Sequence, residues 1–390
     1  MNQQNAGSTS KRIVILGATG SIGTQALDII SANPDEYSVA GLSAHSNWKM
    51  LADQANQFQP DWLILSDPSN KDNFEDALQY SPEQIDYGSD PLREMASSKD
   101  TDLILNALVG SAGFESTYKA LSVGNKVALA NKESLVVGGE ILTAIPGFKE
   151  NLIPVDSEHS AMWQCLVGEN MDTVEKIVIT ASGGPFREFS VESLQSVTVE
   201  DALNHPNWEM GNKITIDSST MMNKGLEIIE AHWLFGLDVE LIEPVIHPQS
   251  IIHSIVEFKD GSSKAQLGPP DMKVPIVYAL SYPERITMDV PRLDYKERMN
   301  LTFEPVDFIK FPCVQIAIQA VKEGGIKPAV MNAANEVAVK RFLNREIRYI
   351  DIPLLIEKAL NQFDQRSVAS PEDLLEVDTE TRIFANTLLT

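Results

Sequence analysis

The chain has 390 residues, 43% of them apolar, and its 55 acidic against 31 basic residues give a formal net charge of −24. This length predicts two to three domains of roughly 150 residues, and the acidic balance excludes nucleic acid and anionic membranes as general partners. Two cysteines, Cys165 and Cys313, are too few for a disulfide framework or a cysteine-based zinc site. We expect a cytoplasmic protein, since the N-terminus lacks a signal-peptide pattern and no apolar run is long enough to span a membrane.

The first 155 residues alternate short apolar strands with helical patterns. Residues 11–16 predict a strand, 17–23 a glycine-rich turn and 24–32 a helix, the opening unit of a dinucleotide-binding fold. Further strands are predicted at residues 37–42, 62–65, 101–107, 126–129 and 152–156. The alternation indicates a Rossmann-like, doubly wound α/β domain over residues 1–155, which we expect to bind a dinucleotide.

The pattern of predicted strands and helices changes after Asp156. Strands are predicted at residues 176–180, 213–217, 245–246, 254–259 and 264–267, with one strong helix after Asn223. This pattern favours an α+β domain over residues 156–282. The proline-containing segment 275–299 is typical of a connection, and we assign 283–310 as a linker. Residues 311–390 predict a C-terminal helical domain, its last helix at 379–389 with Asp378 as N-cap.

The glycine turn has the spacing G-x-x-G-x-x-G, a variant of the dinucleotide fingerprint. Its glycines permit a tight turn and close approach of a pyrophosphate to the helix N-terminus. The alternative to a dinucleotide-binding site is an ordinary turn between a strand and a helix. At the end of the second strand, the stretch 43–47 lacks the acidic residue that would bind a ribose 2′-hydroxyl, which favours NADP over NAD, although no arginine is present either.

Acidic residues form the strongest candidate for chemistry. If the segment after residue 154 is extended, Asp156 and Glu158 lie on the same face, and Glu227 follows in a helical stretch. Three convergent carboxylates suit a hard divalent cation, while Ser218, the Asn223 amide and Lys224 suit a phosphate. The alternative is that Asp156 and Glu158 lie on a solvated strand edge and bind no metal. Apolar neighbours of the two acids favour a buried position, where a charge needs a partner.

Other stretches offer supporting groups. The glycines of 181–186 allow backbone amides to face an anion beside Ser182, although a plain tight turn fits equally well. Residues 205–211, with His205, Trp208 and Met210, predict a lid over a ligand; the alternative is a loop anchored in the core. Lys132 follows a strand near the carboxyl edge of the sheet and could orient a substrate oxygen, unless the turn is simply solvated.

These motifs together resemble the 1-deoxy-D-xylulose 5-phosphate reductoisomerases, the NADPH-dependent enzymes of the non-mevalonate isoprenoid pathway. The resemblance runs from Lys11 to the C-terminal helices. It is carried by the strings GATGSIG at 17–23, ANKES at 130–134, PVDSEH at 154–159, SGGPF at 182–186, HPNWEMG at 205–211, DSSTMMNKGLE at 217–227, HPQS at 247–250 and NAANE at 332–336.

The resemblance implies a role for each matching residue. The metal, Mg²⁺ or Mn²⁺, would be held by Asp156, Glu158 and Glu227. The substrate phosphate would be held by Ser182, Ser218, Asn223 and Lys224, with His205 closing over it, and the reacting keto-diol end by Lys132, Ser157 and Glu158. Catalysis would rest on Lys132, Glu158, His205 and Glu227. The NADPH site would be lined by Thr19, Gly20, Ser21, Ile22, Asn47, Asn131, Glu133 and Gly211, and Trp208 and Met210 would belong to a flap near 205–212.

The chain departs from the family pattern in one place. Members often carry a glycine and a basic residue before the asparagine that matches Asn47, whereas this chain has His45 and Ser46. Either side chain could replace the basic residue in holding the 2′-phosphate of NADPH.

The resemblance implies an NADP-dependent oxidoreductase (reductoisomerase) that rearranges and reduces 1-deoxy-D-xylulose 5-phosphate to 2-C-methyl-D-erythritol 4-phosphate. It also implies a homodimer that fosmidomycin inhibits, with a small sugar phosphate as substrate. In the same way it implies that residues 1–155 are the NADPH-binding domain and residues 156–282 the domain of catalysis and dimerisation. Two alternatives stay open at the level of sequence. One is a metal-free NADP-dependent oxidoreductase of the semialdehyde or homoserine type, and the other is a nucleotide-binding sensor without turnover.

Overall fold

The computed structural model describes residues 10–110, 112–206, 210–368 and 370–388. Within them the strands are β1 (Lys11–Leu16), β2 (Tyr37–Ala44), β3 (Trp62–Leu65), β4 (Gln84–Tyr87), β5 (Leu103–Asn106), β6 (Val127–Leu129), β7 (Leu152–Pro154), β8 (Val174–Ala181), β9 (Ile242–Ile246), β10 (Ile252–Phe258), β11 (Ser263–Leu267) and β12 (Glu304–Pro305). The helices are α1 (Ser21–Ala32), α2 (Trp48–Phe58), α3 (Lys71–Ala77), α4 (Pro91–Ala96), α5 (Ala112–Ser122), α6 (Lys132–Thr143), α7 (Phe148–Asn151), α8 (Ser157–Leu166), α9 (Val199–Leu203), α10 (Asn212–Ser219), α11 (Met222–Phe235), α12 (Lys273–Ser281), α13 (Pro312–Glu323), α14 (Lys327–Leu343), α15 (Asp351–Gln362) and α16 (Pro371–Thr387).

The chain forms two compact units. The first comprises residues 1–131, 145–155 and 272–290, and the second comprises 132–144, 156–271 and 291–390. These limits run differently from the four segments predicted from the sequence, because residues 132–144 group with the second unit and residues 272–290 with the first. The functional division of the chain into four segments stays a prediction.

The first unit is built on a seven-stranded sheet with the order β4-β3-β2-β1-β5-β6-β7, in which all neighbours pair in parallel. Residues 13–16 of β1 are almost completely buried, as expected of a central strand covered on both faces. The strand order reverses between β1 and β5, and ligands of such sheets bind at the carboxyl edge of that switch point. The predicted doubly wound fold is confirmed.

The second unit contains a five-stranded mixed sheet with the order β11-β10-β8-β9-β12. Among the described strands of this sheet, only β8 and β9 pair in parallel, while β10 pairs antiparallel with β8 and β11, and β12 pairs antiparallel with β9. Helix α8 packs on β10 and β11, and α11 packs against α6 and α13. The predicted α+β architecture with C-terminal helices is therefore confirmed.

Three predictions of local structure were wrong. The segment 213–217, predicted as a strand, lies in helix α10, because its alternating apolar residues Ile214 and Ile216 belong to a helix that buries only part of its surface. The segment around Glu158, read as extended, is the first turn of α8. Part of the predicted connection 275–299 is helix α12.

The last helix begins earlier than predicted. Ser370 is its N-cap and forms a capping box with Asp373, followed by Pro371 in the first turn. Asp378 therefore lies inside α16, where it pairs with Arg382 at 2.6 Å. A residue that can cap a helix also suits an i,i+4 ion pair, so its identity alone did not fix the boundary.

Candidate active site

The acidic pair of the sequence lies at the start of helix α8. Asp156 is the N-cap, and its Oδ1 accepts hydrogen bonds from the backbone amides of Glu158 at 3.1 Å and His159 at 3.3 Å. The Ser157 hydroxyl contacts the Glu158 carboxylate. Glu158 thus stands in the first turn, where a carboxylate is favoured by the helix dipole. The two acids meet through helix capping rather than through strand alternation.

Glu227, on the neighbouring helix α11, completes the acidic group. One carboxylate oxygen from each of Asp156, Glu158 and Glu227 lies within 4.8 Å of the other two. We call this group the carboxylate cluster. Glu227 is 1% exposed and Glu158 17%, so the cluster is buried but reachable from solvent. Three oxygen donors at this separation could hold Mg²⁺ or Mn²⁺.

Two lysines neutralise part of the negative charge. The Lys132 ammonium contacts Asp156 and lies 3.0 Å from Glu227 Oε1, and the Lys224 ammonium contacts Glu227 and lies 3.8 Å from Glu158 Oε1. Burial alone would lower the pKa of Lys132, but the carboxylates around it raise that pKa well above its ordinary value. Neighbouring carboxylates, Glu227 first, also raise the pKa of Lys224 against the effect of burial. Both lysines are therefore cationic at neutral pH, as groups that bind anionic or carbonyl oxygens need to be.

The carboxylates of the cluster differ in their affinity for protons. Burial raises the pKa of Glu158 to about 8, although Lys224 opposes the shift, and the neighbouring carboxylates of Glu227 and Asp156 add to it. Burial would raise the pKa of Asp156, but the neighbouring cationic groups, Lys132 foremost among them, together outweigh burial and hold that pKa below its ordinary value. Like charges this close disfavour one another's ionisation, and a cation bound among them would relieve that repulsion.

Two further residues of this region were missed by the sequence analysis. His159 is fully buried, with Nε2 2.9 Å from the backbone oxygen of Glu227 and Nδ1 3.3 Å from Asp156 Oδ1. Glu230 is 3% exposed, and its Oε2 lies 3.7 Å from His159 Nδ1 and 4.0 Å from Lys132 Nζ. Glu230 follows Glu227 by three positions on α11, so helical spacing was the signal that could have found it.

A second polar group gathers three of the predicted phosphate-binding side chains. His205 Nε2 lies 3.2 Å from Ser182 Oγ and 3.1 Å from Ser218 Oγ. Gly184 permits this approach, since it has φ +64° and an added Cβ would meet the Ser218 carbonyl oxygen at 2.8 Å. The Ser182 hydroxyl also accepts from the Gly184 amide at 3.2 Å. Two hydroxyls and an imidazole side by side offer the neutral donors that bind a phosphate oxygen.

The other two predicted phosphate ligands lie on α11. Asn223 Nδ2 donates to Glu227 Oε1 at 2.5 Å, and Lys224 contacts the same carboxylate. Met221 links α10 to α11 in the left-handed conformation, φ +56°, although it is not a glycine. A buried non-glycine residue in this conformation is strained, and such strain is held where surrounding packing fixes a turn. This turn places Ser218 and Asn223 on consecutive helices.

In the first unit, the glycine turn joins β1 to α1 at the switch point. Gly17 has φ +86°, and an added Cβ would meet the Ala107 carbonyl oxygen at 2.6 Å. At Gly23 an added Cβ would meet the Gly17 carbonyl oxygen at 2.4 Å, so the helix can start this close to the turn only with glycine. Gly20 is the N-cap and has no side chain that could occupy the first amides of α1. The turn therefore suits a pyrophosphate.

The remaining predicted cofactor residues are divided between the units. In the first, Thr19, Ser21 and Ile22 belong to the glycine turn and the start of α1, and Asn47 caps α2 by accepting from the Met50 amide at 3.4 Å. Asn131 is buried and donates to the Leu108 and Gly110 carbonyl oxygens. In the second unit, Glu133 accepts from Lys213 at 2.7 Å, and Gly211 is the N-cap of α10.

The predicted flap is described in part. His205 and Met210 lie in the described residues, and Trp208 lies outside them. The stretch at the end of β2 places His45 and Ser46 on the surface, beside the start of α2.

Fold and side chains together define a class: an α/β protein with a dinucleotide-binding sheet and a separate group of carboxylates suited to a divalent metal. Comparison with known proteins narrows the class. The family model for 1-deoxy-D-xylulose 5-phosphate reductoisomerase matches residues 13–139, and models for the C-terminal domains of the same family match residues 152–235 and 267–384.

Named relatives agree with these matches. The chain is 52% identical to the 1-deoxy-D-xylulose 5-phosphate reductoisomerase of Chloroherpeton thalassium, over 96% of this chain and 97% of the relative. It is 50% identical to that of Crocosphaera subtropica, over 95% of each chain. The chain belongs to the 1-deoxy-D-xylulose 5-phosphate reductoisomerase family, which confirms the resemblance seen in its motifs.

Solved structures of the family have the same fold. The reductoisomerase of Zymomonas mobilis in complex with NADPH is 44% identical, with a TM-score of 0.89 over 97% of this chain and 98% of that one. A reductoisomerase in complex with NADPH, fosmidomycin and magnesium is 39% identical, with a TM-score of 0.89 over 96% and 97% of the two chains.

Proposed function

We infer that this chain catalyses the reaction of its family, the NADPH- and divalent-metal-dependent conversion of 1-deoxy-D-xylulose 5-phosphate to 2-C-methyl-D-erythritol 4-phosphate. The observation that carries this inference is the carboxylate cluster, with its three oxygens within 4.8 Å, in a chain whose other unit carries a dinucleotide-binding turn. The reaction moves a carbon–carbon bond, which makes a linear skeleton branched, and then reduces the resulting aldehyde.

The carboxylate cluster fits the metal that the family implies. Asp156, Glu158 and Glu227 would be its protein ligands, and their donor set is the all-oxygen set that Mg²⁺ and Mn²⁺ prefer. A metal ion bound there would act as a Lewis acid on the ketone and adjacent hydroxyl oxygens of the substrate. His159 supports the cluster, since it contacts both the Asp156 carboxylate and the backbone of Glu227.

The remaining polar side chains would bind the two ends of the substrate. Ser182, Ser218, Asn223 and Lys224 would hold the phosphate, and His205, which already contacts both serine hydroxyls, would close over it. At the reacting end, Lys132 and Ser157 would donate hydrogen bonds to the keto and hydroxyl oxygens, beside Glu158. Fixing the phosphate at one end supplies binding energy that orients the other.

NADPH would bind at the glycine turn through Thr19, Gly20, Ser21 and Ile22, with Asn47, Asn131, Glu133 and Gly211 as further contacts. It supplies the hydride that reduces the aldehyde, and a proton completes the new hydroxyl group. Met210 and Trp208 would form a flap that excludes water from the bound substrate. Either His45 or Ser46, both exposed at the end of β2, would contact the 2′-phosphate.

A direct test is NADPH oxidation with 1-deoxy-D-xylulose 5-phosphate, with Mg²⁺ or Mn²⁺ and with EDTA. We expect turnover that EDTA abolishes and that added metal restores. Fosmidomycin should inhibit it, as expected for the family. EDTA-resistant turnover of a semialdehyde substrate would instead support the metal-free oxidoreductase, which the carboxylate cluster does not favour. NADPH binding with no turnover of either substrate would support the sensor.

We further propose a cytoplasmic homodimer. The buried thiols of Cys165 and Cys313 are unpaired, as is usual in a reducing compartment. No described helix is long and apolar enough to cross a membrane. The dimer rests on the family resemblance, with residues 156–282 as the dimerising segment, and light scattering of the purified protein would test it.

A further inference from the structure

A second buried charged group lies in the same unit as the carboxylate cluster and is centred on Lys213. The Lys213 ammonium lies 2.7 Å from Glu133 Oε1 and 2.8 Å from Asp217 Oδ2. The other oxygen of Asp217, Oδ1, accepts from Asn335 Nδ2 at 2.9 Å. We call these four residues the Lys213 network. It joins the first turn of α6, helix α10 and the middle of α14.

Three of the four members are buried, while the side chain of Lys213 is 22% exposed. Asp217 is 1% exposed, Asn335 is fully buried, and the side chain of Glu133 is 9% exposed. Burial would raise the pKa of Glu133, but the Lys213 ammonium holds it below its ordinary value. Removing the lysine would therefore leave two buried carboxylates without their common cation, which is costly in a low-dielectric setting.

Each carboxylate of the network is next in sequence to a proposed substrate contact. Glu133 directly follows Lys132, whose ammonium lies at the carboxylate cluster. Asp217 directly precedes Ser218, whose hydroxyl lies beside His205. Helix α6 packs against α11, α14 and α16, and helix α10 packs against α9, α11 and α14. The lysine thus bridges two helix segments whose adjacent residues would hold opposite ends of one substrate.

We propose that Lys213 is a positioning residue: through Glu133 and Asp217 it fixes the separation between the Lys132 ammonium and the Ser218 hydroxyl. The proposal rests on the proposed function, because it requires a substrate held at its phosphate by Ser218 and at its keto group by Lys132. A displacement of about 1 Å between such groups can lower a rate by about a hundredfold.

The test compares Lys213→Met, which removes the charge, with Lys213→Arg, which keeps it. Lys176→Met is the matched control, since Lys176 also bridges two carboxylates, Glu243 at 2.6 Å and Glu257 at 3.5 Å, on the exposed face of the sheet. For each variant we would measure kcat and KM for the sugar phosphate with Mg²⁺ and NADPH, the NADPH dissociation constant, and thermal unfolding. Rates are expressed per folded enzyme.

We expect Lys213→Met to lower kcat by about a hundredfold in the folded enzyme, Lys213→Arg to restore most of it, and Lys176→Met to leave it within about twofold. A role in folding alone would lower the unfolding temperature of Lys213→Met and leave kcat and KM of the folded fraction unchanged, which would overturn the proposal. If Lys213→Met does not fold, Asp217→Asn carries the same test, with a loss of about tenfold expected. An inactive wild-type enzyme would instead refute the proposed function, whatever the variants do.

Discussion

Glu227 is the residue on which the polar contacts of the cluster converge. Its carboxylate accepts from Asn223 at 2.5 Å and contacts the ammonium groups of both Lys132 and Lys224, while its backbone oxygen meets His159. A buried carboxylate with two lysines and an amide around it is held in one orientation, as a metal ligand needs to be. A metal ion would depend on the negative charge of the Glu227 carboxylate more than on the shape of the side chain.

We therefore expect Glu227→Gln to lower kcat by at least about a hundredfold, because the amide keeps the volume of the side chain but cannot carry the negative charge. NADPH affinity should stay nearly the same, since the glycine turn is unchanged. Steady-state kinetics and a fluorescence titration with NADPH would measure both. Glu243→Gln, at an exposed ion pair, is the control. Near-normal turnover of Glu227→Gln would contradict the metal assignment.

His205 gives the protein a dependence of stability on pH. Burial lowers the pKa of His205 below its ordinary value, so the folded protein binds its proton less tightly than the unfolded chain does. The stabilising contribution is complete above the unfolded pKa of about 6.5 and is lost as the pH falls through the lower folded value.

Replacing the histidine should remove this contribution. We expect the urea midpoint of His205→Gln to fall less than that of the wild type between pH 7.5 and pH 5, as measured by tryptophan fluorescence. His45→Gln, at an exposed histidine, is the control and should keep the wild-type slope. An identical slope for His205→Gln and the wild type would show that this histidine does not contribute.

At the scale of elements, the turn between β1 and α1 depends on the absence of side chains. The added Cβ at Gly23 would lie 2.4 Å from the Gly17 carbonyl oxygen and 2.6 Å from Ala18 Cα, both of them backbone atoms that cannot move alone. The turn would have to widen, and the amides at the start of α1 would move with it.

Gly23→Ala should therefore weaken NADPH binding by at least about tenfold and destabilise the protein by more than about 1 kcal/mol. Gly124→Ala is the matched control in the same unit, because it has φ +78° but nothing within 4 Å of an added Cβ, so it measures backbone strain alone. Equal effects of the two substitutions on NADPH affinity would argue against a role of the turn in cofactor binding.

Helix α16 offers a second element whose start can be tested. The Ser370 hydroxyl accepts from the Asp373 amide at 3.2 Å, and the Asp373 carboxylate accepts from the Ser370 amide at 3.0 Å. We expect Ser370→Ala to lower the free energy of unfolding by about 1 kcal/mol while kcat is unchanged. Thr379→Ala, at an exposed position inside the helix, should cost less. Denaturant titration would measure the difference.

Elements with a strong local pattern were predicted well. The strand β1 and the turn after it were recognised because an apolar run, spaced glycines and a helical pattern follow one another. Helix α10 was mistaken for a strand because a short segment with alternating apolar residues fits either structure, and only its packing against α11 and α14 decides.

At the scale of the whole molecule, the carboxylate cluster should link metal binding to stability. An ion that binds only the folded protein raises the free energy of unfolding by RT ln(1 + [metal]/Kd), about 2.7 kcal/mol at a hundredfold excess over Kd. We expect Mg²⁺ or Mn²⁺ to raise the unfolding temperature of the wild type, and to raise that of Glu227→Gln much less. Equal concentrations of a potassium salt at matched ionic strength control for screening of the net charge of −24.

The sequence by itself determined local elements such as the strand, glycine turn and helix at residues 11–32, because neighbouring positions in a chain restrict one another directly. It also supplied the candidate metal ligands Asp156, Glu158 and Glu227 through their residue types and motifs.

Tertiary structure decided which of these groups meet. Lys213 and Glu133 are 80 residues apart, His159 and Glu227 are 68 apart, and His205 reaches Ser182 over 23. Such contacts depend on how helices pack against one another, and the local sequence pattern of a single helix does not specify that packing. The same reason explains why the Lys213 network, and the approach of Glu230 to Lys132 and His159, became visible only in the folded chain.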